Sequence, residues 1–144
     1  MAASRRLATA LVAVLAIAAA GCGSSSSRPK EPSAKVEDVN GQHRVLLSPQ
    51  AAARIGIQTA TVKATGGARR LDVIPYSALL YTADGKTFTY VRMSPLVFVR
   101  RSVSVDHLTS TEAFLSSGPS PGTAVVTVGG EELHGAETGI QTPE

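Results

Sequence analysis

Apolar and polar residues alternate most clearly over residues 74–93, IPYSALLYTADGKTFTYVRM, and this stretch predicts a β-hairpin. Asp84-Gly85 separates two runs rich in aromatic and β-branched residues. That dipeptide is favoured where a two-residue type I′ turn needs positive φ at both central positions. After the turn, Thr87, Thr89, Val91 and Met93 alternate with Phe88, Tyr90 and Arg92, the period of two that sends successive side chains to opposite sheet faces. One face is expected to be buried, with Met93 in the core. Pro75 opens the unit, at a strand start or edge where its missing N–H does least harm. A lone hairpin is marginal in water, so further strands must join it.

Upstream, residues 43–47 predict a short strand and residues 48–54 a compact helix. Ser48 is placed to cap that helix, Pro49 suits its first position, and Gly56 stops it after Ile55. Residues 57–64 alternate as a weakly apolar strand, Gly66-Gly67 breaks it, and residues 69–74 lead into the hairpin. Downstream, residues 96–105 form the longest strand candidate. Val97, Val99, Val103 and Val105 share one face with Arg101, and Phe98, Arg100, Ser102 and Ser104 take the other. A bulge near Arg100-Arg101 would put one arginine outside. A short strand is expected over 111–115, a Gly/Pro turn over 118–122, and an apolar strand over 123–128 that Gly129-Gly130 ends. Residues 131–135 suggest a single helical turn, acidic at its start as the helix dipole favours. The expectation is an all-β, mainly antiparallel domain over residues 43–139 with one or two short helical turns, then a tail over 140–144.

The first 21 residues read as a targeting signal. Arg5 and Arg6 precede an apolar run of about fourteen residues, the length of a secretion signal and short for a membrane span. Ala19-Ala20-Gly21 then leads into Cys22, the only cysteine, followed by Gly23 and four serines. This resembles a bacterial lipoprotein lipobox. The resemblance implies a diacylglyceryl group on the Cys22 sulfur, cleavage after Gly21 and acylation of the new amino terminus, and two or three acyl chains anchor stably where one does not. The alternative is an ordinary secretory signal beside a free thiol, a liability in an oxidising compartment. Residues 22–42, rich in serine with Pro29, Pro32 and mixed charge, lack apolar periodicity and are expected to be a flexible tether. The expected location is the extracytoplasmic face of a cell membrane, held by lipid.

Cleavage would change the charge picture. The chain carries 14 basic and 11 acidic residues, and without Arg5 and Arg6 the basic count is 12, so no nucleic-acid partner is expected. With Cys22 lipidated, no cysteine remains for a bridge or a thiolate metal site. His43, His107 and His134 have no second ligand type at motif spacing, and Met93 is the lone methionine after the signal. No metal or cofactor is therefore expected. Asp106-His107 lies near serines, yet no Gly-x-Ser-x-Gly, Gly-x-Gly-x-x-Gly or Walker-type run is present, and no enzymatic activity is expected. Arg69-Arg70 and Arg100-Arg101 are the basic pairs of the folded part: a docking patch for an acidic partner, or a solvated strand face.

Three stretches, VIPYSALLYTADGKTFTYV, FVRRSVSV and GTAVVTVGGEEL, resemble in order and spacing the C-terminal part of periplasmic adaptor subunits, the membrane fusion proteins of resistance-nodulation-division efflux pumps. The corresponding positions are Pro75, Ala78, Leu79, Asp84, Gly85, Phe98, Val99, Arg101, Gly118, Gly122, Val125, Val126, Thr127 and Gly129. A second block, from Val45 through Ser48-Pro49 to Ile55-Gly56-Ile57-Gln58-Thr59, resembles the opening segment of adaptors of the heavy-metal and cation type. The resemblance implies a membrane-proximal-type β-domain that docks on an inner-membrane transporter or a full-length adaptor. In full-length members the interval between the blocks supplies a β-barrel, a lipoyl-like domain and a helical hairpin. Here about a dozen residues fill it, so a sealed conduit is not implied. Two further readings stand beside this one: a free-standing ligand-binding envelope lipoprotein, and a decayed adaptor.

Overall fold

Two strands that bend decide the architecture. The computed structural model describes residues 33–139; the expected signal peptide, Cys22 and the tail over 140–144 lie outside them. The elements in chain order are β1 (Ala34–Val39), β2 (Gln42–Leu47), α1 (Pro49–Ile55), β3 (Gln58–Thr61), β4 (Lys63–Ala64), β5 (Asp72–Pro75), a 3-10 turn (Tyr76–Ala78), β6 (Leu80–Tyr81), β7 (Thr87–Ser94), β8 (Val97–Ser102), β9 (Ser104–Leu108), β10 (Glu112–Ser117), β11 (Ala124–Val128) and α2 (Gly130–Thr138). All strand pairings are antiparallel, and the domain is all-β with two short helices.

The larger sheet has the order β1-β2-β8-β7-β11-β3 with β6 paired to β7, and the smaller has the order β4-β5-β10-β9. Residues 57–64 and 96–105 each pattern as one strand, but each crosses from one sheet to the other at a single buried valine. Val62 separates β3 from β4, and Val103 separates β8 from β9. Hydrogen bonds continue through both corners: Val62 N donates to Thr123 O at 2.8 Å, and Val103 N donates to Thr87 O at 3.1 Å. Followed through the corners, the pairings close a ring of six strands, β7, β8/β9, β10, β5, β4/β3 and β11. Closure leaves few open edges for stray pairing.

The ring explains the core. Val62, Ile74, Val91, Val103, Ala113, Leu115 and Val125, at least one from each ring strand, form one buried cluster with Ala78 and Leu79. A second cluster lies on the outer face of the larger sheet, where Phe88, Tyr90, Phe98 and Val126 meet Val45 and Leu47 of β2, Ala51 of α1 and Leu133 of α2. The expectation that one face of 87–93 is buried is therefore corrected: Phe88, Thr89, Tyr90 and Val91 are all buried, because a second layer covers the outer face. Met93 is corrected too. Its parity matches Val91, but it lies where β7 runs out of the ring, and it is 56% exposed.

The turns also differ from expectation. Asp84-Gly85 is not a two-residue type I′ turn. Thr82 N donates to Lys86 O and Gly85 N donates to Thr82 O, both at 2.9 Å, and of the two central residues only Gly85 has positive φ, at 80°. This is the three-residue loop with a left-handed last position. The first arm of the expected hairpin is divided between β5 in one sheet and the two-residue β6 in the other. A turn of type I′ geometry lies instead at Asn40-Gly41, with φ of 55° and 73°, joining β1 to β2 in register Val39↔Gln42. The tether expected over 22–42 is thus corrected over 34–42, since Ala34–Val39 is a paired strand whose charged residues hid its pattern; the rest of it, residues 22–32, lies outside the described residues. The helix at 49–55 is as expected: Ser48 Oγ accepts from Ala51 N at 3.2 Å, and Gly56 closes it at φ 69°. α2 runs nine residues rather than one turn, because Leu133 and Ala136 pack on the outer cluster.

Candidate binding groove

The four arginines singled out in the sequence have separate fates. Arg100 and Arg101 are neighbours on β8, so their side chains leave opposite faces. Arg100 points to the outer layer. Its Nη2 lies 3.2 Å from Glu137 Oε1 on α2, the Glu137 side chain being 5% and that of Arg100 34% exposed. The guanidinium also stands 5.5 Å from the Phe88 ring centroid, within cation–π range. Tyr90 OH donates to the other Glu137 oxygen, and burial followed by that hydrogen bond pushes the Tyr90 phenol well above the ordinary tyrosine range. Phe88 meets Tyr90 edge-on and His134 at 5.0 Å. Arg100 therefore fastens α2 to the sheet.

Arg69 and Arg70 lie in the exposed connection between β4 and β5. Arg69 Nη2 pairs with Asp106 Oδ1 at 2.6 Å, and Asp106 Oδ2 lies 2.9 Å from His107 Nδ1. His107 and then Arg69 hold the Asp106 carboxyl below the usual carboxylate range. The His107 ring stacks on Phe114 at 4.3 Å. This cluster braces the smaller sheet. Among the described residues no group of three or more His, Cys, Asp or Glu is arranged to hold a metal.

Arg101 is different. It sits on the inner face of the ring, directly across from Thr89, and it joins neither ion pair that its fellow arginines make. It lines a groove of about 370 Å³ together with Val91, Met93, Ser102, Ser117, Gly118, Pro119, Ser120 and Thr123. The groove exists because β10 and β11 are not neighbours in the ring, so the connection between them passes over its mouth. Gly118 permits this passage, since a Cβ there would stand 2.9 Å from Leu115 Cδ1 and 3.4 Å from Val103 Cγ1. Gly122, at φ 90°, turns the chain down into β11, and its N–H donates to Val62 O at 2.9 Å.

The lining falls into two parts. Val91, Met93 and Pro119 offer apolar surface, whereas Ser117, Ser120 and Thr123 offer hydroxyls near one guanidinium; Ser102, next to Arg101 on β8 and across from Phe88, sends its side chain to the outer face. Among the described residues no carboxylate lines the groove. Beside Arg101, the Thr89 side chain is fully buried and its Oγ1 has no hydrogen-bond partner among the described residues. A polar pair thus interrupts an otherwise apolar interior at the mouth. The sequence carried one signal of this, a lone arginine on the Val97–Val99–Val103 face. The hydroxyls were not legible, because residues 117–123 pattern as a strand end and a Gly/Pro turn, and only the ring carries that connection past Arg101. Comparison with protein-family models, with curated proteins and with solved structures finds no match to this chain.

Proposed function

We propose that the protein is a lipid-anchored, extracytoplasmic binding module of the adaptor kind, held to the membrane through Cys22 and acting by contact with a membrane transporter or a full-length adaptor. What supports the reading is the run Ala19-Ala20-Gly21-Cys22 behind an apolar signal, followed by the adaptor-like stretches in order. It includes no catalytic role. The anchor is tested by expressing the full chain in a bacterium and following fatty-acid label and membrane retention. The wild type takes up label and stays with membranes, and Cys22→Ser does neither; unchanged retention of Cys22→Ser sinks the anchor. The contact is tested by crosslinking in membranes, where repeated recovery without any transporter or adaptor subunit rejects the adaptor part.

A second reading, a free-standing ligand-binding envelope lipoprotein, is favoured by one observation. A groove of about 370 Å³ has the size and mixed lining of a small-molecule site, with apolar walls and a few convergent polar groups. Both readings describe a binding module and differ in what is bound.

A further inference from the structure

We infer that the groove at the ring mouth binds a small monocarboxylate carrying hydroxyl or amide groups on a short aliphatic body, with the Arg101 guanidinium holding the carboxylate. The inference rests on the ligand-binding reading and adds the class of ligand.

Three features of the groove select that class. A guanidinium presents a planar fork of donors that matches a carboxylate bidentately. Arg101 brings this fork to a wall that holds no carboxylate of its own, so a bound anion would meet no competitor there. One cation suits one negative charge. A phosphate dianion calls for more positive charge or a cradle of backbone N–H groups, and the lining contains Arg101 as its single charged residue. The hydroxyls of Ser117, Ser120 and Thr123 both donate and accept, which fits neutral polar substituents better than further charge. Val91, Met93 and Pro119 leave space for a few methylene groups but not for a broad apolar face.

The placement of Arg101 also fits a ligand better than a structural role. Its neighbour Arg100 has a carboxylate supplied by α2, whereas the inner face gives Arg101 only Thr89 across the strand pair. Thr89 Oγ1 is buried without a partner. The buried hydroxyl is costly without a partner, whereas the Arg101 guanidinium faces the groove, where an incoming carboxylate would take the place of solvent.

The test uses the full lipidated chain, isotopically labelled, in detergent micelles. It is titrated to about 10 mM, tenfold above a Kd of about 1 mM, with 3-hydroxybutyrate, its neutral amide and inorganic phosphate. With 3-hydroxybutyrate, saturable shifts are expected at the Arg101 guanidinium and at the amides of Ser102, Ser117, Gly118, Ser120 and Thr123. Arg101→Gln should weaken binding about tenfold or more, as loss of a charge-assisted pair does. Arg101→Lys should fall between the two, and Arg70→Gln should change nothing. Thermal unfolding of each variant checks the fold, and Arg101→Lys decides the matter if Arg101→Gln does not fold. Equal binding of the amide, equal or tighter binding of phosphate, or unchanged binding by Arg101→Gln overturns the carboxylate assignment while the groove remains a ligand site. Absence of saturable shifts at the groove with all three probes overturns the ligand-binding reading as well.

Discussion

Gly129, between β11 and α2, offers the sharpest test of how the two layers are joined. Its φ is 93°, in the left-handed region where an L side chain costs about 1–2 kcal/mol. A Cβ built there would stand 2.6 Å from Ile55 Cγ2 and would also collide with Ile57 Cδ1, the residues that flank the α1 cap and pack against the outer cluster. Crowding of this kind costs roughly 1–3 kcal/mol, and the stiffer unfolded chain returns about 0.4–1 kcal/mol. Gly129→Ala should therefore lose about 2–4 kcal/mol. At about 4–8 °C per kcal/mol for a domain near a hundred residues, the thermal midpoint should fall by roughly 10–25 °C. Gly122→Ala separates the causes, because its φ is 90° and nothing lies within 4 Å of the added Cβ; it should show the backbone part alone. Ile57→Val, which removes the Cδ1 methyl, should restore part of the loss in the Gly129→Ala background. Urea unfolding of the three variants beside the wild type measures this. If Gly129→Ala is no worse than Gly122→Ala, or Ile57→Val gives no relief, the close approach of α1 to the β11–α2 corner is wrong.

Glu137→Ala should lose about 2–4 kcal/mol in urea unfolding, since it leaves Tyr90 OH buried without a partner and breaks an ion pair whose Arg100 side is partly open to water. Adding Tyr90→Phe should recover part of that loss, and strict additivity would refute the shared network. In an alkaline titration read by tyrosinate absorbance, Tyr90 should ionise only on unfolding. Its raised phenol gives stability that is complete below the ordinary value near 10 and lost as pH rises beyond it; ionisation of Tyr90 in the folded protein near that ordinary value would contradict this. Asp84 should titrate at about 2 in a carboxyl-resolved NMR series, held there by hydrogen bonds from Lys86 and then Thr82, so its contribution is present above the unfolded value near 3.9 and fades as pH falls through about 2. Lys86→Ala should bring it back toward the usual range, and no movement would refute the Lys86 pairing.

Much of the fold was legible where local chemistry leaves one choice. Ser48, Pro49 and Gly56 each do in the structure what their types favour at a helix start and stop, and the Gly-rich run before β11 turns as such runs do. What failed was inference from periodicity about depth and continuity. Alternation put Met93 in the core, whereas it is exposed at an irregularity in the β7–β8 pairing; parity says nothing about where a strand breaks register or leaves the ring. No residue pattern marks Val62 or Val103 as a corner, because a bent strand alternates like a straight one until its partners change. β1 was hidden for a different reason: Lys35, Glu37 and Asp38 give it the composition of a tether, and the stronger signal was the Asn40-Gly41 dipeptide. Turn chemistry outranked hydrophobicity there.

The adaptor-like positions divide in the same physical terms. Ala78, Leu79, Phe98, Val99, Val125 and Val126 are buried core, and Gly85, Gly122 and Gly129 occupy left-handed backbone. Such residues serve the building of this ring, so a resemblance that rests on them speaks to folding and leaves function open. Arg101 is the exception, because a partly buried arginine on the inner face that pairs with no carboxylate among the described residues adds little stability by itself. Arg100, one residue away, shows what a structural arginine receives here: a carboxylate from α2, an aromatic ring and a hydrogen-bonded phenol around the same acceptor. Arg101 receives a strand neighbour with its own unmatched hydroxyl and an open groove. Natural sequences depart from consistent packing mainly where a site requires it, and that contrast between adjacent residues on one strand is why the groove, rather than the exposed Arg69-Arg70 pair, is the place to look for what this protein binds.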